Sequence, residues 1–213
     1  MTKKDALDDQ TLSLVHLAAA VAQGYEPDLR ERVSHAFVSK VPVEWVFEML
    51  LQSVLMVGYP RALVGFSVWH TVTSATGPAT DADSTYDNVA AWARRGAALC
   101  EQVYGENYAK LRANVRRLHP ALDGWMITEG YGRTMARPGL DLLRRELCII
   151  AQTAVLETPR QLHSHLRGAL NAGATHAQVE AVLSVVNPLL ALDQWTAVKN
   201  VWRRVREGTE ISE

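Results

Sequence analysis

Six of the eight prolines, Pro27, Pro42, Pro60, Pro120, Pro159 and Pro188, each head a stretch whose apolar residues recur with a helical period. Proline suits the first turn of a helix and breaks its interior. That spacing therefore cuts the chain into helices of moderate length. Alternating runs of Val, Ile, Thr and aromatic residues, which would mark strands, are hard to find. The expected architecture is all-α. Helices are expected near residues 8–23, 28–39, 43–57, 61–72, 87–104, 107–118, 121–135, 141–156, 160–172, 176–186 and 189–206. The clearest start is Thr175-His176-Ala177-Gln178, a capping-box pattern just after Gly173.

One stretch interrupts this pattern. Residues 73–85, TSATGPATDADST, are small, polar and turn-rich, and read as a linker over 73–86 between a front part (1–72) and a back part (87–213). The two parts show a faint kinship. A shift of 133 residues lays Leu14 over Leu147, Leu29 over Leu162, Leu50 over Leu183, and Val68-Trp69 over Val201-Trp202. One shift that holds through four successive helices favours a degenerate internal repeat.

Charge and composition narrow the function. Hydrophobic residues make up 48% of the 213 and charged residues 21%, a globular balance, and the net charge is -1. No excess of cations suggests a nucleic-acid coat or a polybasic membrane anchor. The polar start MTKKDALDDQ lacks a signal-peptide core, and the apolar stretches near 14–22 and 148–156 are short for a bilayer span. A cytoplasmic protein without membrane or nucleic-acid partners is the expectation. Cys100 and Cys148 lie too far apart in sequence for a CxxC pair, and no HExxH or similar metal-spaced cluster occurs.

The densest chemistry lies in RPGLD (137–141), REL (145–147) and LHSHLRGALNAGAT (162–175). In this order and spacing the series resembles the carboxymuconolactone decarboxylase family, which also contains the AhpD-like alkylhydroperoxidases. The likeness runs from about Arg94 through Val103-Tyr104-Gly105 and Tyr131-Gly132 to about Val186. The stretch 44–66 is similar to the closing helices of a second family repeat. The resemblance implies an AhpD-like helical bundle of two repeats, the first degenerate and the second carrying the site. Single-repeat relatives form rings of six and two-repeat relatives form trimers, so a homotrimer with pseudo-sixfold symmetry is implied. The faces near 45–55 and 179–192 would be buried in it.

The family's peroxidase branch uses a CxxC with a His four residues after the second thiol. Carried onto this chain, that His is His165, the thiols fall on Thr158 and Gln161, and the branch's relay Glu is Glu146. The acid/base pair is kept and the redox centre is missing. In the decarboxylase branch the recurring residue is again His165. Losing CO2 from a carbon conjugated to a lactone carbonyl leaves a delocalised oxyanion that must be protonated on carbon. An imidazole can deliver that proton without metal or organic cofactor. Arg137, Arg145 and Arg167 are candidate clamps for substrate carboxylates, or else helix-end charges and structural ion pairs. His165 has a structural alternative too, as a satisfied mid-helix histidine, and Glu146 could instead pair with an arginine such as Arg144. His163 lies roughly 200° around the helix from His165 and cannot form a one-faced pair with it.

The chain departs from the family at Arg133 and Met135, where similar decarboxylases commonly carry Asp and Trp. In the front copy, Ser13 and Arg32 stand opposite Glu146 and His165. The expected function is a cofactor-independent lyase acting on a small carboxylated lactone or related acidic ring compound. The alternatives are an AhpD-like protein without its thiols and a non-enzymatic oligomeric scaffold that binds a small molecule.

Overall fold

A computed structural model describes residues 7–208. Among them there is no strand. Helix α1 (Asp9–Gln23) is followed by α2 (Glu26–Val38) and α3 (Val43–Thr73). An irregular strap leads to α4 (Val89–Tyr104), α5 (Tyr108–Leu118) and the short α6 (Pro120–Trp125). A π-helical segment, Met126–Met135, then precedes α7 (Leu142–Val155), α8 (Pro159–Asn171), α9 (His176–Val186) and α10 (Leu192–Arg206).

Local chemistry accounts for most of these bounds. Asp8 caps α1 by accepting the Thr11 amide at 2.7 Å, and Asp141 caps α7 by accepting the Arg144 amide at 3.0 Å. The expected capping box is present: Gln178 donates its amide to the Thr175 hydroxyl at 3.1 Å, and Thr175 donates its amide to the Gln178 side chain at 3.0 Å. In α3, Gly58 sits at φ 72° and ψ 172°, with Pro60 just beyond, so two helices meet there at a bend. The stacked rings of Phe47 and Phe66, 6.1 Å apart, bridge that bend. By length and composition α3 is long and apolar enough to cross a membrane; about a third of its most apolar window is buried in the fold, where it packs on α1 and α7.

The 133-residue offset recurs in the backbone. Helices α1, α2 and α3 start at Asp9, Glu26 and Val43, and α7, α8 and α9 start 133 residues later at Leu142, Pro159 and His176. The ends of α2 and α3, Val38 and Thr73, likewise correspond to Asn171 and Arg206. The two central helices of these sets, α1 and α7, pack on one another. The larger of two core clusters therefore joins the front and back parts, running from Leu14, Leu17 and Ala18 to Leu147, Ile150 and Ala151. Burying each such Leu or Ile stabilises the fold by about 1.5–3 kcal/mol before the entropy of ordering is counted.

Two sequence expectations change, and the linker shows ties that its sequence did not announce. The stretch 121–135 is not one α-helix. It turns π-helical after Trp125 and closes with the Ala136 amide donating to the Tyr131 carbonyl at 2.8 Å. The reason is a backbone-to-backbone approach to α4: a Cβ on Gly132 would lie 2.0 Å from the Trp92 carbonyl oxygen, and one on Gly96 would lie 2.1 Å from that of Ile127. The linker over 73–86 is tied to α4, where Asp83 accepts the Trp92 indole at 2.6 Å and Arg95 at 2.7 Å. Finally, the apolar face of α9 does not await a partner chain. Val179, Val182 and Val186 are fully buried in this chain's own core.

Candidate active site

Two consecutive back-half helices bring the acid/base pair together. Glu146, in the second turn of α7, faces His165 in the middle of α8, and His165 Nδ1 lies 2.8 Å from Glu146 Oε2. The Glu146 side chain is fully buried, whereas 12% of the His165 side chain stays exposed. Only the imidazole can meet a substrate. When Nδ1 carries the ring hydrogen it donates to Glu146 Oε2, and Nε2 is the ring's remaining nitrogen.

A glycine makes this approach possible. A Cβ on Gly168, one turn along α8 from His165, would sit 3.0 Å from Glu146 Oε2 and 3.0 Å from Val103 Cγ1. Behind the carboxylate lies a buried polar group. The Tyr104 and Tyr131 rings meet edge-on at 6.3 Å. Burial pushes both phenols up from their ordinary value, and the Glu146 charge pushes them further, so both stay protonated. Glu146 Oε1 has no hydrogen-bond partner among the described residues, an orphaned acceptor in the middle of this group.

The arginines divide. Arg145 does not face a substrate: its side chain is fully buried, and it donates to Glu48 at 2.8 Å, to Gln52 at 3.2 Å and to the Leu140 and Arg137 carbonyls. Arg137 is spent in the same cluster, with its Nε 3.0 Å from Glu48 and its terminal nitrogens on Asp81 (2.6 Å) and Asp83 (3.3 Å). Both clamps proposed from the RPGLD and REL motifs are thus structural, because their guanidinium groups already have carboxylate partners from α3 and the strap. Arg167 is placed differently. It lines a cavity of 270 Å³ between α5 and α8, together with Lys110, Arg160, His163, Ser164 and Tyr104. His163, on another side of α8 from His165, also belongs to this cavity.

The positions of the missing thiols hold no redox group. Thr158 donates its hydroxyl to the Thr153 carbonyl at 3.2 Å, and Gln161 is exposed. Cys100 and Cys148 are buried and unpaired, and burial pushes both thiols up to about 12. Among the described residues no three His, Cys, Asp or Glu side chains gather as a metal site would need. In the front part Ser13 meets His35 at 3.2 Å, with no carboxylate in that couple.

Sequence reasoning missed Tyr104 and Tyr131 beside the acid/base pair, and Lys110 and Arg160 on the wall of the neighbouring cavity, whose lining does not include His165. The signal was present for the two tyrosines, since both stand in the Tyr-Gly pairs of the motif series. The sequence model of the Carboxymuconolactone decarboxylase family matches residues 122–204, a span holding both Glu146 and His165. A relative from Schizosaccharomyces pombe, "Peroxisomal protein 2", is 28% identical over 144 residues, covering 65% of this chain. The chain in turn spans 65% of the length of that relative.

Proposed function

We propose, on the premise that residues 122–204 belong to the carboxymuconolactone decarboxylase family, that the chain is a cofactor-independent carbon–carbon lyase for a small carboxylated lactone or related acidic ring compound. The observation that carries this reading is the 2.8 Å contact between buried Glu146 and part-exposed His165. In the reaction the bond from the ring carbon to the carboxylate breaks and CO2 leaves. The electron pair passes into the conjugated carbonyl as an enolate. His165, protonated at Nε2, returns a proton to carbon and is reprotonated from solvent. Glu146 holds Nδ1–H, fixes the ring's orientation and stabilises the imidazolium while it exists.

A relative of the AhpD-like peroxidases that lacks their CxxC is the weaker reading, because the two cysteines present are buried and their thiols are pushed far above neutral pH. The scaffold reading gains nothing from a part-exposed His held by a buried carboxylate. Assembly as a homotrimer belongs to the same proposal. The outer face of α3 supports it, with Leu51, Leu55, Tyr59, Leu63 and Val64 all exposed. Two unpaired cysteines suit a reducing compartment, and the cytoplasm is the location proposed.

Turnover of a carboxylated muconolactone in D2O tests the reaction. We expect one deuterium on the carbon that takes the proton in the product, with CO2 released in equal amount. CO2 release without carbon-bound deuterium would refute proton delivery to carbon, and no CO2 release would refute the lyase reading.

A further inference from the structure

By the 133-residue offset, Gly24 and Arg61 in the front part correspond to Glu157 and Gln194 in the back part. Gly24 closes α1 at φ 75°. Arg61, just past the bend of α3, reaches across to donate to the Ala22 carbonyl. A Cβ at Gly24 would lie 2.9 Å from Arg61 Nε, so the guanidinium stem occupies the place where a side chain at residue 24 would begin. The front part thus covers the C-terminal end of α1 with a cation of its own, as the helix dipole and the spare carbonyls there favour.

The back part inverts this arrangement. Glu157 follows α7 at φ 55°, a left-handed conformation that glycine takes freely and a side chain disfavours. Strain of this kind is held where a site needs the residue. Gln194 donates to Glu157 Oε1 at 2.6 Å, and Oε2 has no partner among the described residues. Where the front part has its long arginine, the back part has a shorter glutamine and a cavity of 170 Å³ between α7, α8 and α10. Ala154, Leu162, Val198 and Val201 line this cavity, and Glu157 and Gln194 complete its wall. The register of the front part holds here: a Cβ on Gly65 would lie 3.5 Å from Val21, and these two correspond to Val198 and Ala154. The carbonyl that corresponds to that of Ala22 belongs to Val155. Its helical donor would be residue 159, which is proline and has no amide hydrogen.

We infer that this cavity binds a guanidinium group on a short apolar stem, with the Glu157 carboxylate and the Val155 carbonyl accepting its hydrogens. The front part shows the occupant, since Arg61 brings the same group to the corresponding helix end. A planar guanidinium fork can donate to a carboxylate and a carbonyl together, whereas an ammonium is a single point charge. The stem lies along Leu162, Val198 and Val201. At 170 Å³ the cavity is smaller than the roughly 300–1,000 Å³ of drug-sized sites, so it takes an end group and not a whole ring system. A free guanidino compound and an arginine side chain of a peptide both carry that group. The proposed lyase chemistry uses none of these residues, so the inference stands apart from that reading.

Calorimetric titration of the full chain tests it with three probes: butylguanidine, a capped Gly-Arg-Gly peptide, and the same peptide with citrulline, the neutral isostere, in place of arginine. At least one of the two guanidinium probes is expected to bind with a Kd of about 1 mM or tighter. The citrulline peptide should bind at least about tenfold more weakly than the tighter of them. A peptide that binds more tightly than butylguanidine makes an arginine side chain the source of the group; butylguanidine binding as tightly or more so makes it a free guanidino compound. Glu157→Gln, at an exposed position, should weaken binding about tenfold. Glu157→Gly, which matches Gly24, should weaken it as much without lowering the melting temperature, because it also relieves the left-handed backbone. Gln194→Arg should abolish binding by filling the cavity from within, as Arg61 does in the front part. Three results would overturn the inference: no binding of either guanidinium probe, citrulline peptide binding as tight as theirs, or binding unchanged in Gln194→Arg and in both Glu157 variants.

Discussion

Glu48→Gln removes the carboxylate on which two arginines converge, and the structure sets the size of the effect. Glu48 Oε2 lies 2.8 Å from Arg145 Nη2, and both Glu48 oxygens lie within 3.1 Å of Arg137 Nε. Arg145 has no exposed side-chain surface, and Glu48 has 8%. After the substitution, Arg137 still has Asp81 and Asp83, but Arg145 keeps only neutral partners, the Gln52 side chain and two carbonyls. A buried charge left without its counter-ion costs about 3–5 kcal/mol. That is a large share of the roughly 5–15 kcal/mol that holds a domain folded. For a chain of this size each kcal/mol shifts the melting temperature by about 2–4 °C, so a fall of roughly 6–20 °C is expected. Circular dichroism melts, with guanidinium titrations as a second measure, would report it. The apolar replacement Glu48→Leu with Arg145→Met should regain much of the loss, since no buried charge is left unpaired. A loss below about 1 kcal/mol for Glu48→Gln, the range of exposed ion pairs, would refute the claim that Arg145 is a structural, desolvated cation.

Three further expectations concern the site and the assembly. Gly168→Ala places a methyl 3.0 Å from Glu146 Oε2, so turnover should fall at least about tenfold while helicity is kept; unchanged kcat/KM would show that the carboxylate's placement does not matter. Cys100→Ser/Cys148→Ser should retain its lyase rate, and the unaltered chain should not turn over peroxide with dithiol reductants; peroxide turnover that the double variant abolishes would restore the redox reading. Leu51→Asp/Leu55→Asp should convert a trimer into a monomer in light scattering, and a chain near 24 kDa before any substitution would end the assembly proposal.

Local signals were legible in the sequence wherever a few neighbouring residues decide the outcome. The Thr175 capping box, the Asp141 start of α7 and the Pro159 start of α8 depend on contacts three or four residues long. The Glu146–His165 contact spans 19 residues and two consecutive helices, and the motif spacing already paired these residues. The failures come from distant partners. Nothing near Arg145 in sequence shows that Glu48, 97 residues away, will claim its charge. The π-helical turn depends on Gly96 and Gly132 letting two backbones touch, a tertiary event that helical periodicity cannot encode. The basic cavity needs α5 and α8 side by side, so Lys110 and Arg160 looked like ordinary surface cations until the fold joined them.

The central claim is that His165, held by Glu146, moves the proton. It is tested most directly by the rate of CO2 release from a carboxylated muconolactone by the unaltered chain and by His165→Gln, with His70→Gln as the control for the same substitution on a remote helix. Removing one general acid typically costs about 10²–10⁴ in rate. We expect a loss in that range for His165→Gln at an unchanged melting temperature, and a rate for His70→Gln equal to that of the unaltered chain. Equal rates for the two variants, or a loss at His165 that only tracks unfolding, would make His165 a structural histidine and contradict the proposed chemistry.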